Sequence, residues 1–183
     1  MDPGANFQPA NDDPIDVLLA EHRTILQVLD EIERESRRLE HDAPLREAFW
    51  RDVLRFADEF DAGLHHQKEE RLLFPALEAA GLSTTSGPTA VLRDEHLRSD
   101  FWRQRLERAL RARDRNRLAA AVASYVDLTR THVIKENQIL FPLARRLLSA
   151  DDVERLRAEF RALAAEQSLS HWLQHPYALP TGN

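Results

Sequence analysis

Apolar residues recur at helical spacing over most of the chain. Ile15, Leu18, Leu19, Ile25, Leu26, Leu29 and Ile32 share one face with His22, and Asp13-Pro14 offers an N-cap followed by a first-turn proline. A first helix is therefore predicted from Pro14 to about Glu40. His41-Asp42-Ala43-Pro44 breaks it, and a second apolar pattern runs from Pro44 to about Ala80, where Gly81 stops it. The stretch Gly81 to Pro88 reads as a loop. A third helix then extends to roughly Arg113 and a fourth from about Arg115 to Leu148. Ser149-Ala150-Asp151-Asp152 can cap a short fifth helix ending near Glu166, and the tail through Trp172, Pro176 and Pro180 looks irregular. The expected fold is all-α: an antiparallel four-helix bundle with a short extra C-terminal helix. By residue, 1–13 form an arm, 14–148 the bundle, and 149–183 the last helix and tail.

The polar positions that interrupt these apolar faces repeat. His-x-x-Lys-Glu-x-x-(Leu/Ile)-Leu-Phe-Pro occurs from His65 to Pro75 and again from His132 to Pro142, with the only two lysines, Lys68 and Lys135, at matching places. His65 and Glu69, like His132 and Glu136, stand four apart, so both groups of each pair project from one helix face. Upstream of each phrase, a leucine-containing segment ends in Glu-His, at Glu21-His22 and Glu95-His96. The order is His, His-x-x-x-Glu, twice. Four histidines and two glutamates arranged this way point to a paired metal site. Pro75 and Pro142 fall inside the apolar periodicity, so each should kink its helix or end the regular part just past these residues.

Composition narrows the chemistry. A chain of 183 residues, 43% hydrophobic, can bury one sizeable core, and no cysteine is present to form a disulfide, a thiolate metal site or an iron–sulfur cluster. Any metal is held by nitrogen and oxygen, a set suited to iron when carboxylates bridge two ions. The absence of a long apolar run and of a signal-like start leads to the expectation of a soluble, cytoplasmic protein without a membrane partner. Net charge of −6 argues against nucleic acid. No phosphate-binding glycine loop or nucleophile triad is visible.

From the Glu-His pairs and the two His-x-x-x-Glu…Leu-Phe-Pro phrases, the region from Pro14 to Leu148 resembles the hemerythrin-like cation-binding domain, in its bacterial branch with four histidines and two glutamates. The resemblance implies two iron ions, oxo- or hydroxo-bridged, with His22, His65, His96 and His132 as terminal ligands and Glu69 and Glu136 as bridges. Oxygen carriers of the family have a further histidine one turn after the third-helix ligand and an aspartate five residues after the fourth-helix ligand. Here Asp100 follows His96 by four, and Glu136 follows His132 by four. Fewer histidines leave more open iron positions.

Several neighbours carry alternatives. His66 and Glu70 form a second His-x-x-x-Glu pair one residue out of register, but their counterparts Val133 and Asn137 cannot complete a symmetric site, which places His66 outside the ligand set. Asp100 is expected to hydrogen-bond near His96, and Asp61 either orients His65 or faces solvent. Tyr125, two turns before His132, is the candidate catalytic residue: over an open position it could donate a hydrogen bond or an electron, and otherwise it is a core tyrosine. The arginines from Arg98 to Arg117 read as a solvated face, with an acidic protein partner as the alternative. The segment Ser170 to Tyr177 reads as packing or a homodimer contact.

Three functions follow: a diiron oxidoreductase consuming a small oxidant such as peroxide or nitric oxide, an oxygen-binding or sensing module, and an iron-handling protein for iron–sulfur repair. Redox detoxification ranks first. Relatives with the repair role often carry a cysteine-containing N-terminal domain.

Overall fold

The computed structural model describes residues 13–41 and 43–167, which form five helices and no strand. Helix α1 is Pro14–Glu40, with the Asp13 carboxylate accepting from the amides of Ile15 and Asp16 at 2.9 and 3.3 Å. Helix α2 covers 47–79, α3 is Pro88–Arg111, α4 covers 115–147, and α5 is Ala150–Gln167. The second helix starts three residues later than its apolar pattern suggests, because the chain reverses after α1 through a bond from the Ala43 amide to the Arg38 carbonyl. Ser149 and Asp152 bond reciprocally at the start of α5, each side chain meeting the other's amide. No described helix is long and apolar enough to cross a membrane.

Two apolar layers fill the bundle. One contains Ile25, Leu29 and Ile32 of α1, Trp50, Phe56, Phe60 and Leu64 of α2, Leu106 of α3, and Leu118, Val122 and Val126 of α4. The other joins Leu18, Leu73, Phe74, Leu77, Leu92, Leu140 and Phe141 to Leu156 and Phe160 of α5. Each such side chain contributes roughly 1.5–3 kcal/mol on burial. Between them lies a belt of buried polar groups: Glu21, His22, His65, Lys68, Glu69, Glu95, His96, His132 and Glu136. The two layers position this belt and keep water from it.

The phrase prolines are absorbed without ending their helices. Immediately before each lies a π-helical turn, Glu69–Leu73 and Glu136–Leu140, after which α-helix resumes as Phe74–Ala79 and Phe141–Leu147. In these turns the Phe74 amide reaches the Glu69 carbonyl, and the Phe141 amide that of Glu136. Widening the helix by one residue per turn just ahead of proline accommodates a ring that lacks an N–H and would crowd the carbonyl four residues back. Each π turn begins at a phrase glutamate.

Helix α2 carries a further π segment, Ala57–His65, in which Gly63 approaches the Asp58 carbonyl so closely that an added Cβ would stand 2.6 Å from the oxygen. Backbone cannot yield as a side-chain tip can. Gly63→Ala is therefore expected to destabilise the fold by about 1–3 kcal/mol, measured by urea unfolding. Unchanged stability would show that the segment reverts to α-helix at no cost.

Candidate metal centre

The belt has approximate twofold symmetry, with α1 and α2 as one half and α3 and α4 as the other. In the first half, Nε2 of His22 lies 3.0 Å from Nε2 of His65; in the second, Nε2 of His96 lies 3.1 Å from that of His132. The glutamates join the halves. Glu69 reaches His65 at 3.4 Å through Oε1 and His96 at 3.3 Å through Oε2, while Glu136 Oε2 stands 3.1 Å from His22 and 3.3 Å from His132. Two groups result, His22 with His65, Glu69 and Glu136, and His66 with Glu69, His96 and His132; within each, candidate ligand atoms all lie within 4.8 Å of one another.

Each inner histidine is held from behind. His65 Nδ1 donates to Glu21 at 3.0 Å and His132 Nδ1 to Glu95 at 3.1 Å, so the glutamate of each Glu-His pair orients the phrase histidine on the next helix. His22 Nδ1 donates to the Asn137 amide oxygen and His96 Nδ1 to Glu70, both at 2.7 Å. Phe141 stacks on His22 and Phe74 on His96, with centroids 5.2 and 5.9 Å apart. Lys68 pairs with Glu21, Lys135 with Glu95 and Arg93 with Glu70. The outer carboxylates are thereby neutralised, leaving the charge of Glu69 and Glu136 for whatever lies between the imidazoles.

This arrangement fits metal ions. With all four Nδ1 atoms donating outward, the facing Nε2 atoms meet lone pair to lone pair unless a proton or a metal lies between them. Two nitrogens bound at about 2.1 Å and at right angles on one ion stand about 3.0 Å apart. The four buried oxygens of Glu69 and Glu136 have no hydrogen-bond donor other than an imidazole Nε2 that has gained a proton, a costly state for carboxylates that cations would relieve.

The family model for the hemerythrin HHE cation binding domain matches residues 13–144. The chain belongs to this family. Relatives include the uncharacterized proteins Rv1995 and MT2051 of Mycobacterium tuberculosis and Mb2018 of Mycobacterium bovis, each 31% identical over 157 residues. The match covers 80% of this chain, which spans only 56% of the length of those relatives. No solved structure matches it. The chain is thus a hemerythrin-like metal-binding domain whose histidines and glutamates cluster in the bundle interior.

Without metal, protons hold this hemerythrin belt together. Burial alone would push the His65 imidazole down, but the Glu69, Glu21 and Glu136 carboxylates outweigh it and raise its pKa from 6.5 to about 9. Burial likewise would lower the His132 pKa, but the Glu136 carboxylate outweighs it and holds the imidazole well above its ordinary value. Glu21, which burial would raise, is held at about 2 by the Lys68 ammonium and His65. A raised histidine stabilises the fold fully below its unfolded pKa and loses that contribution through its folded one; a depressed carboxylate does so in the opposite direction. The iron-free protein should therefore be most stable between about pH 4.5 and 6.5, weakening upward through pH 9 and downward toward pH 2. A metal ion bound between the imidazoles would replace the proton, so the alkaline loss should vanish on loading. Thermal unfolding across pH, with and without iron, checks this, and an identical alkaline limb in both forms would contradict it.

Other residues singled out in the sequence take different places. Tyr125 is buried and its hydroxyl donates to Asp61 Oδ2 at 2.7 Å, so its proton is already engaged; burial and that carboxylate push its pKa well up. Asp61 thus meets Tyr125, while Glu21 is what orients His65. Asp100 is half-exposed beside Arg103, and Glu70 takes the role expected of it at His96. His66 is buried, stacked on His96 at 3.8 Å. Arg103, Arg111, Arg113 and Arg117 pair with Asp58, Glu107, Glu47 and Asp114, in keeping with a solvated face. Ser170 to Tyr177 lies outside the described residues.

Sequence reasoning missed Glu21, Glu95, Glu70 and Asn137 as supports. The duplicated Glu before each first histidine was the available signal, since it repeats as faithfully as the histidine does.

Proposed function

We propose that this domain is a non-haem diiron protein that binds or reacts with a small oxidant, with peroxide or nitric oxide consumption first and reversible oxygen binding or sensing second. His22, His65, Glu69 and Glu136 would hold one iron, and His96, His132 and the same two glutamates the other. The observation that carries this reading is the pair of buried glutamates, each set between the two histidine pairs with no hydrogen-bond donor besides those imidazoles.

Iron bound there would supply redox-active coordination positions for oxygen, peroxide or nitric oxide. The chain's part is to hold and shield. Glu21, Glu95, Glu70 and Asn137 fix each imidazole's orientation, and this outward donation raises its basicity toward a metal. The Phe74 and Phe141 rings cover one side of His96 and His22, and the apolar layers exclude bulk water. Small neutral molecules pass such layers more readily than ions do. Tyr125 is a buried core tyrosine whose hydroxyl is satisfied by Asp61.

Anaerobic reduction followed by separate exposure to oxygen, nitric oxide and peroxide tests the proposal. Oxidation of the reduced protein with net consumption of peroxide or nitric oxide is the expected result. A stable oxygen adduct released on evacuation would favour carriage or sensing, and inertness to all three would overturn both.

A further inference from the structure

We propose that the outer face of α3 packs against the same face of a second copy of this chain, antiparallel, about a twofold axis at the level of His96.

The two halves of the bundle are covered unequally. On the first, α5 lies against α1 and α2, and Val17 and Leu72 are partly buried in the layer that holds its Leu156 and Phe160. Their counterparts in the repeat, Val91 on α3 and Ile139 on α4, are about half exposed. Leu97 and Phe101 of α3 and Ile134 of α4 are bare as well. Exposed apolar side chains gathered on one pair of helices mark an interaction surface.

The order of residues along α3 identifies what covers it. Val91, Asp94, Arg98 and Phe101 follow one another at intervals of three, four and three, the alternation that keeps side chains on the one stripe of a helix that faces another. By type the stripe is apolar, charged, charged, apolar, and its centre is position 96. An interface between two identical chains has to be complementary to itself. Laid antiparallel on its own copy about that centre, the stripe sets Val91 of one chain against Phe101 of the other and Asp94 against Arg98, each pair occurring twice. The two apolar anchors are equally exposed, at 49%. Asp94 and Arg98 stand one turn apart in the favourable order, yet neither has a charged partner among the described residues. Both charges are free to pair across the axis, where the flanking apolar pairs would shield them from water and strengthen the attraction. A single helix stripe with its α4 border lies at the small end of stable interfaces, so the dimer should form at micromolar and not nanomolar concentration.

Sedimentation equilibrium of the iron-loaded full chain, from micromolar to millimolar concentration, tests the pairing. The wild type should pass from one to two chain masses over that range. Asp94→Arg or Arg98→Asp alone sets like charges against each other at both places and should weaken the dimer about tenfold or more. The chain carrying both exchanges restores opposite charges and should dimerise again. An equimolar mixture of the two single variants should do so too, because every charge then meets its opposite in the other chain. Phe101→Glu should leave the protein monomeric throughout. All these positions face solvent, so helical content and iron content, measured alongside, should match the wild type. A wild type that stays monomeric to millimolar concentration would assign the face to a different protein and overturn the proposal. A dimer indifferent to the charge exchanges would overturn it equally.

Discussion

Glu136→Ala is expected to abolish the paired centre, leaving at most one weakly held iron per chain, and Glu69→Ala should do the same. Each glutamate lies against one histidine from either half of the bundle, so in the proposed dinuclear centre its loss would remove a ligand from both positions at once. No neighbour can substitute. Glu70 and Asn137, the next residues on the chain, are turned outward to His96 and His22, and Glu21 and Glu95 are engaged by His65 and His132. Removal of one of these outer supports should be milder, weakening metal affinity by about 10–100-fold. Iron content and the near-ultraviolet absorption of the ferric form distinguish the outcomes. A Glu136→Ala protein that keeps both irons and an unaltered spectrum would remove that residue from the centre.

The second large effect is an inequality between the two lysines. Lys68 and Lys135 occupy the same place in the duplicated phrase and pair with Glu21 and Glu95, but the Lys68 side chain is 3% exposed and that of Lys135 36%. Helix α5 makes the difference, since Phe160 lies under the Lys68 ammonium at 5.6 Å and packs into the layer below. Lys68→Met strands Glu21 as a buried, unpaired carboxylate, which should cost about 3–5 kcal/mol. Lys135→Met removes a partly exposed lysine and lets water reach the buried Glu95 carboxylate, so it should cost less, about 1–3 kcal/mol. Urea unfolding of the iron-free proteins measures both. Equal losses would mean that the partial exposure of Lys135 does not relieve Glu95.

The helices and the gathered histidines were legible because both depend on short-range periodicity. Pro14–Glu40 follows directly from Asp13-Pro14 and the apolar face, and a spacing of four places His65 beside Glu69 wherever the helix docks. What was not legible depends on how one helix meets another. Glu21 sits next to His22 but points about 100° around the helix, so its service to His65 appears only once α1 and α2 are in register. Asp61 and Asp100 lie on plausible faces, yet partners from α4 and from α3 itself claim them: Tyr125 and Arg103. The π turns were hidden for another reason. A single residue gained per turn hardly disturbs apolar periodicity, and Pro75 and Pro142 reveal only that the α-helical bond is missing, not what replaces it. The repeat places His66 outside the ligand set, and its stacking on His96 of the opposite half appears only once the helices are packed.

The central claim is that two irons share Glu69 and Glu136 inside one chain. Its most direct test is metal analysis of protein produced with iron available, together with Mössbauer spectroscopy at low temperature. The account predicts about two irons per chain, coupled so that the diferric form is diamagnetic in its ground state. One tightly bound zinc that iron does not displace, or two irons that are magnetically independent, would contradict it.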